Sequence, residues 1–252
     1  YAKVEKILNA AHAIRYQISR NIGVRVLSQE EKKKELLERY NKPKSEYPLL
    51  EPKSKEEEAP PDFKKIPVEP EEDMLLFFMN YSKLTDWERD ILSIVREETL
   101  YFLPQIETKI MNEGWASFWH YNILNKLNLE QGLHFEFLKR HNQVIRPVLG
   151  QLNPYYIGFR IFEDLKKRYE DDPKKIFEVR EVERDQSFIR RYLTRELCEE
   201  MNLFEYAKIG NSYIVTEVSD EEGWKKIRDT IANNVGLAGI PVIKVAEWVQ
   251  KD

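Results

Sequence analysis

The chain has 252 residues, 42% of them hydrophobic and 12% aromatic, enough for one large domain or two smaller ones with a sizeable core. Charged residues make up 33%, yet the net charge is only −4, which argues against a general nucleic-acid binder with its usual basic excess. No apolar run approaches a transmembrane helix, no signal-peptide pattern is present, and the single Cys198 can form no internal disulfide, a combination that fits a cytoplasmic protein. The sequence starts at Tyr1 rather than Met and is read as a fragment whose true N-terminus is unseen.

In chain order, Tyr1 to Ile22 is predicted to be an amphipathic helix with Val4, Ile7, Leu8, Ala11, Ile14 and Ile18 as its apolar stripe and Gly23 as its stop. His12 lies beside that stripe, where a histidine is ordinarily a hydrogen-bonded core residue and alternatively a ligand. Ser28 is expected to cap a charged helix, Gln29 to Tyr40. Seven of the chain's twelve prolines fall between Asn41 and Glu72, together with the charged run Lys53 to Glu58, which predicts an extended connection running over the surface. Asp73 to Tyr81 reads as a short aromatic-rich helix. Thr85 and Glu88 form a capping box that opens a helix through Leu100, with Trp87, Ile91, Ile94, Val95 and Phe102 as its buried face.

Pro104 is expected to break the chain and open a central helix running to Leu127, predicted to be the most buried helix of the main domain. Another helix, Glu130 to Ile145, carries His134, Phe135, Leu138 and His141. Asn153-Pro154 is a cap followed by proline at the first helical position, and starts a helix to about Tyr169. Ile176 to Val182 is either extended or a short link. Asp185 caps a helix through Tyr192, and Thr194 caps another through Met201. From Leu203 the period changes to two. Phe204 to Lys208 and Tyr213 to Glu217 alternate around Gly210-Asn211, a hairpin pattern. Asp220 caps a helix through Asn234, and Pro241 to Trp248 reads as a third strand. The expected architecture is therefore mainly α with a small C-terminal α+β domain. Residues 1–201 form an irregular helical bundle with 41–72 as its proline- and charge-rich connection, and 202–252 hold a short antiparallel sheet packed on one helix.

The central helix contains the chemistry. Glu113, Ser117 and His120, at offsets of four and seven, share one face among Ile110, Trp115 and Phe118. An acid and a histidine in such apolar company must each find a partner. A core helix with satisfied polar groups is one reading; a metal or catalytic site is the other, since Glu and His are natural zinc ligands. Gly114, beside the acid, permits close approach of another backbone or a ligand. Glu113 and His120 stand about 10 Å apart along the helix axis, whereas zinc bonds are about 2 Å long. Glu113 is thus the better ligand candidate and His120 the better polarising group. His12 and His141 are the other groups able to converge on Glu113. The four histidines form no HExxH, and there is no CxxC or P-loop. Cys198, in a predicted helix beside acidic residues, is read as structural. Trp115, Phe118, Trp119 and Tyr121 fit either a sugar-binding platform or an aromatic core.

The stretch Met111-Asn112-Glu113-Gly114-Trp115-Ala116-Ser117-Phe118-Trp119-His120-Tyr121 resembles the SpoVR-like (stage V sporulation protein R) family. So do Asn9 to Ala13, Leu152 to Phe159 and Phe177 to Glu183, which occur in the family's order over nearly the whole chain. The resemblance implies a part in forming the peptidoglycan cortex of bacterial spores. It also implies a paired-histidine segment upstream of Tyr1. Glu113-Gly114-Trp115-Ala116 is similar to a motif of zincin-type metallopeptidases, in which the Glu is the third metal ligand; the paired histidines that supply the first two in those enzymes are absent from this chain.

Two functions follow as expectations. The complete protein is a zincin-like, metal-dependent hydrolase of spore-cortex assembly, with zinc bound in the full-length protein. Glu113, His12 and His141 are then its candidate ligands, His120 is the catalytic group, and the substrate is related to the cell wall. Alternatively, it is a non-catalytic sporulation factor that binds an as yet unknown protein partner.

Overall fold

The structure is a computed structural model and describes residues 1–18, 27–41, 60–147, 151–210 and 212–249. Among these the fold is mainly helical, with eleven helices and one two-stranded antiparallel sheet near the C-terminus. Cα proximity groups the chain into two compact units, Tyr1–Leu100 with Val242–Asp252, and Tyr101–Pro241.

The first unit contains α1 (Ala2–Ile14), α2 (Gln29–Asn41), α3 (Met74–Tyr81) and the first part of α4 (Asp86–Glu107). Its core is Ala11, Leu75, Leu92 and Val95, with Ile7, Ile14 and Phe78 packed at the margin. Helix α1 ends at Ile14 rather than continuing to Ile22; Gly23 lies outside the described residues, as do 42–59 of the expected connection. Ser28 and Glu31 satisfy each other's backbone N–H groups and so cap α2. Asp73 caps α3 through the N–H of Leu76 and pairs with Arg96 at 2.8 Å. The Glu88 carboxylate accepts from the Thr85 N–H, as expected of the capping box. The buried face of α4, however, is Leu92, Val95, Thr99 and Leu103; Trp87, Ile94 and Phe102 are exposed. The face is rotated from the expected stripe because Thr99, polar in type, is buried with its hydroxyl donating to the Val95 carbonyl. Pro104 lies inside α4, in its last turns, and the chain breaks at Thr108 instead. Proline there removes the one bond to the Leu100 carbonyl, and the helix runs only to Glu107 beyond it.

The second unit contains α5 (Lys109–Lys126), α6 (Gln131–Val144), α7 (Pro154–Arg168), α8 (Lys175–Val182), α9 (Asp185–Tyr192), α10 (Arg195–Glu200), β1 (Phe204–Ile209), β2 (Ser212–Val218) and α11 (Gly223–Asn234). Its core gathers Met111, Phe118, Ile161, Phe162, Leu165, Phe188 and Ile189, with Cys198 also buried. Burial pushes the Cys198 thiol up to about 11, which keeps it protonated. The most buried helix is α7, not the central α5: Ile157, Gly158, Phe159, Ile161, Phe162 and Leu165 are all inside, whereas Ile123 and Leu127 at the end of the central stretch are exposed. Asn153 caps α7 by accepting the Tyr155 N–H, with Pro154 at the first position. The 176–182 stretch is helical, because Ile176 and Val179, one turn apart, both reach the core.

Helix α10 ends in a Schellman motif. Asn202 adopts φ +51°, its N–H reaches the Glu199 carbonyl, and the Leu203 N–H reaches Cys198. Strands β1 and β2 then pair antiparallel from Phe204↔Val218 to Ile209↔Ser212, with a bulge beside Glu205 and Tyr206. Gly210 turns the hairpin at φ +62°; Asn211 lies outside the described residues. The Asp220 carboxylate caps α11, which lies against β2 and α9. Residues 241–248 do not form a third strand of this sheet. They make isolated antiparallel bridges, Val245 to Glu71 and Val249 to Lys65. The alternating sequence reported an extended backbone, which says nothing about its pairing partner.

Candidate functional site

The central helix is positioned by two devices. At its middle, α5 and α7 touch backbone to backbone. A Cβ on Gly114 would lie 2.4 Å from Cα of Gly158, and one on Gly158 would lie 2.4 Å from the Ile110 carbonyl oxygen. No larger residue fits at either position without separating the helices. At its start, the buried Asp185 carboxylate accepts from the backbone N–H groups of Ile110 and Met111, both at 2.9 Å. These donors have no partner within the helix, and an acid there also favours the helix dipole. Arg184, not Asp185, is the cap residue of α9, so Asp185 serves a helix 75 residues earlier in the chain. Burial pushes its carboxyl up to about 6, against the backbone hydrogen bonds that favour the ionised form. From α8, the Arg180 guanidinium donates to the Asn112 side chain at 2.6 Å, one residue before Glu113.

Glu113 is half-buried and has Tyr155 of α7 as a neighbour. The interaction with the Glu113 carboxylate, ahead of burial, raises the Tyr155 pKa.

The histidines are distributed differently. On the flank between α5 and α6, the His120 and His141 rings stack with centroids 6.1 Å apart, His120 exposed and His141 only 3% exposed. Tyr121 and Phe159 close over His141, at 4.9 and 5.0 Å. Burial first, and the neighbouring His120 second, lower the His141 pKa, so it is neutral at pH 7. Its Nε2 is buried with no hydrogen-bond partner among the described residues. His12 belongs to the first unit, where Arg15 lies 2.9 Å from its Nδ1. With Arg15 donating, Nδ1 is an acceptor and the ring hydrogen sits on Nε2. Among the described residues no group of three or more His, Cys, Asp or Glu side chains is placed to hold a metal ion. The described residues therefore do not by themselves fit the zinc site that the family resemblance implies.

Beside the same helix lies a cavity of about 470 Å³, walled by Phe118, Trp119, Tyr121 and Phe177 and rimmed by Lys126 and Lys166. Lys166 donates to Asn122 at 2.5 Å and stands 5.9 Å over the Phe118 ring. Of the functional groups found here, Tyr155 stands in the sequence stretch already singled out, but its pairing with Glu113 leaves no local trace. Asp185 caps α5 rather than the expected α9, since a cap pattern identifies a donor set only within its own turn.

A family model described as SpoVR like protein matches residues 1–240. Over 272 aligned residues the chain is 29% identical to the "Uncharacterized protein YcgB" of Escherichia coli (strain K12), covering 94% of this chain and 53% of that protein. The chain thus spans about half the length of this curated relative. No solved structure matches. Among the described residues, no helix is long and apolar enough to cross a membrane.

Proposed function

The chain belongs to the SpoVR-like family, which points to a sporulation-related protein, and from that premise we propose that it acts in the cytoplasm in forming the peptidoglycan cortex of the spore. In this reading the complete protein is a hydrolase-like enzyme, and this chain supplies its central carboxylate. The supporting observation is Glu113: half-buried, set at the glycine crossing of two core helices, beside Tyr155, and in no ion pair among the described residues. Rigid elements place such a group to within fractions of an ångström, as a functional acid requires. Glu113 is the candidate zinc ligand and His120 the candidate polarising group; His12 and His141, the other candidates, form no cluster of three with Glu113 among the described residues. Since the groups within this chain do not complete a site, further ligands would come from the part of the protein outside it. The aromatic walls and lysine rim beside Trp119 suit a cell-wall-related substrate, because a sugar ring stacks on aromatic faces.

The test is metal content of the full-length protein by elemental analysis, wild type against Glu113→Gln. The expected result is bound zinc in the wild type and a loss of at least tenfold in affinity in the variant. Equal content in both, or none in the wild type, overturns the ligand role. A second reading, a non-catalytic factor binding a protein partner, draws on the hairpin, where Ile209, Ile214, Val215 and Val218 are each at least half exposed. It would stand ahead if metal were absent.

A further inference from the structure

The cavity beside the central helix combines an aromatic side with a charged rim. On α5, Trp119, Asn122 and Lys126 follow at offsets of three and seven; on α7, Glu163, Lys166 and Lys167 follow at three and four, so each set shares one helix face. These two faces and Phe177 of α8 border about 470 Å³, a size in the range of small-ligand sites. The groups at its mouth are open to solvent: Phe177 is 51% exposed, Trp119 is half-buried and the three lysines are exposed. Phe118, at 1% exposure, only backs the wall. The Trp119 and Phe177 rings lie 5.7 Å apart with a tilt of 37°, and together make the aromatic side. Lys166 is steered across the cavity by Asn122, whose side-chain oxygen its Nζ reaches at 2.5 Å. Lys126, Lys166 and Lys167 are in no ion pair among the described residues, whereas Glu163 is held by Arg160 at 3.7 Å. Burial raises the Glu163 pKa, and the charges of Arg160, Lys167 and Lys166 lower it. Glu170 is the other acid at the rim. Three lysines against two acids, one of them already paired, leave a positive surplus.

We propose that this cavity binds the acidic sugar of a glycan strand, a pyranose ring carrying a carboxylate, in preference to a neutral one. The apolar face of the ring lies against Trp119 and Phe177. The carboxylate meets the lysine rim, with Lys126 coming from α5 and Lys166 and Lys167 from α7. These are the two helices that the Gly114–Gly158 crossing fixes against each other, so the spacing of the rim is set by the core. A cationic ligand is disfavoured, because the surplus charge is positive. This inference rests on the reading of a cell-wall-related substrate and deepens it by naming which sugar is taken. It uses no metal, no histidine and not Glu113.

The experiment is calorimetric titration of the chain at neutral pH and low salt with N-acetylmuramic acid. The controls are N-acetylglucosamine, the same ring without the lactyl carboxylate, and lactate, the acid without the ring. The expected result is saturable binding of N-acetylmuramic acid, with N-acetylglucosamine weaker by about fivefold, the upper reach of a solvent-exposed ion pair, and no saturation by lactate up to about 10 mM. The preference should fade at about 1 M salt, where charges are screened within about 3 Å. Lys126→Gln combined with Lys166→Gln should bring N-acetylmuramic acid to the level of N-acetylglucosamine and leave the latter unchanged. Phe177→Ala should weaken both sugars together. All three positions are exposed, and thermal unfolding matching the wild type shows that the fold is intact. Three outcomes overturn the proposal: no saturable binding of N-acetylmuramic acid up to about 10 mM; equal affinity for the two sugars; or an undiminished preference in the folded lysine variant. Undiminished binding to Phe177→Ala would refute the aromatic seat. The titration needs no metal, so its failure leaves the Glu113 ligand role to the elemental analysis, and an empty metal site leaves the sugar preference standing.

Discussion

The second unit holds two contacts of opposite character: the α5–α7 crossing and the β1–β2 hairpin. At the crossing, Gly114 and Gly158 bring two backbones together, and Phe118 and Phe162 are sealed on either side. The hairpin is a lone two-stranded ribbon whose outer residues Ile209, Ile214 and Val218 remain exposed. Two strands alone are only marginally stable, so the ribbon depends on α11, whereas the crossing is fixed by direct backbone contact at Gly114 and Gly158. Glu113 sits on the closed contact and is fixed by it; Glu205 sits on the ribbon, beside a bulge. Precision and adaptability are thus assigned to different ends of one unit.

Substitutions should rank accordingly. Phe162→Ala removes a fully buried ring that meets Trp115, Phe118 and Phe188, and should cost about 3–5 kcal/mol in urea unfolding. A loss below about 1 kcal/mol would mean that the core is far looser than the packing shows. Gly158→Ala sharpens the contrast, because in an ordinary helix this change stabilises by up to about 1 kcal/mol. Here the new methyl meets backbone at 2.4 Å, so destabilisation of about 1–3 kcal/mol is expected; a raised melting temperature would contradict the crossing.

Asp185 gives a pH signature. Its folded pKa, about 6, lies above the ordinary 3.8, so the folded state holds the proton more tightly. Its contribution to stability is therefore fully present below about pH 3.8 and is lost as the pH rises through about 6. Asp185→Asn should flatten that part of the stability profile, measured as urea midpoints at pH 4 and pH 7. An unchanged slope would show that another group is responsible. The smallest effect belongs to the ribbon: Ile214→Thr, half exposed and on a strand that tolerates β-branched residues, should shift stability by no more than about 0.5 kcal/mol.

Local chemistry was legible in the sequence. The caps at Ser28, at Thr85 with Glu88 and at Asn153, which accepts the Tyr155 N–H, were readable because donor and acceptor lie within one turn. The hairpin was readable because alternation and Gly210 coincide. Gly114 announced a close approach, though not that Gly158 would fill it. What could not be read was the choice of partner over distance. Asp185 caps a helix far upstream, Tyr155 rather than a histidine meets Glu113, and the 241–248 segment bridges to residues 65–71 instead of the hairpin. Periodicity reports which way a side chain leaves its own element, not what it finds there. The rotated face of α4 has the same origin, since Thr99 is buried by its neighbours despite its polarity.

The Asp185 cap also bears on the order in which the molecule assembles. The first turn of α5 emerges from synthesis 75 residues before the acid that seals it. Until α9 arrives, the Ile110 and Met111 amides depend on water, and the helix holding the central carboxylate is frayed at its start. Closure of such a distant contact is slow relative to local helix formation. Pulse-labelled hydrogen exchange during refolding should therefore protect the amides in the middle of α7 first and those of Ile110 and Met111 late, together with α9.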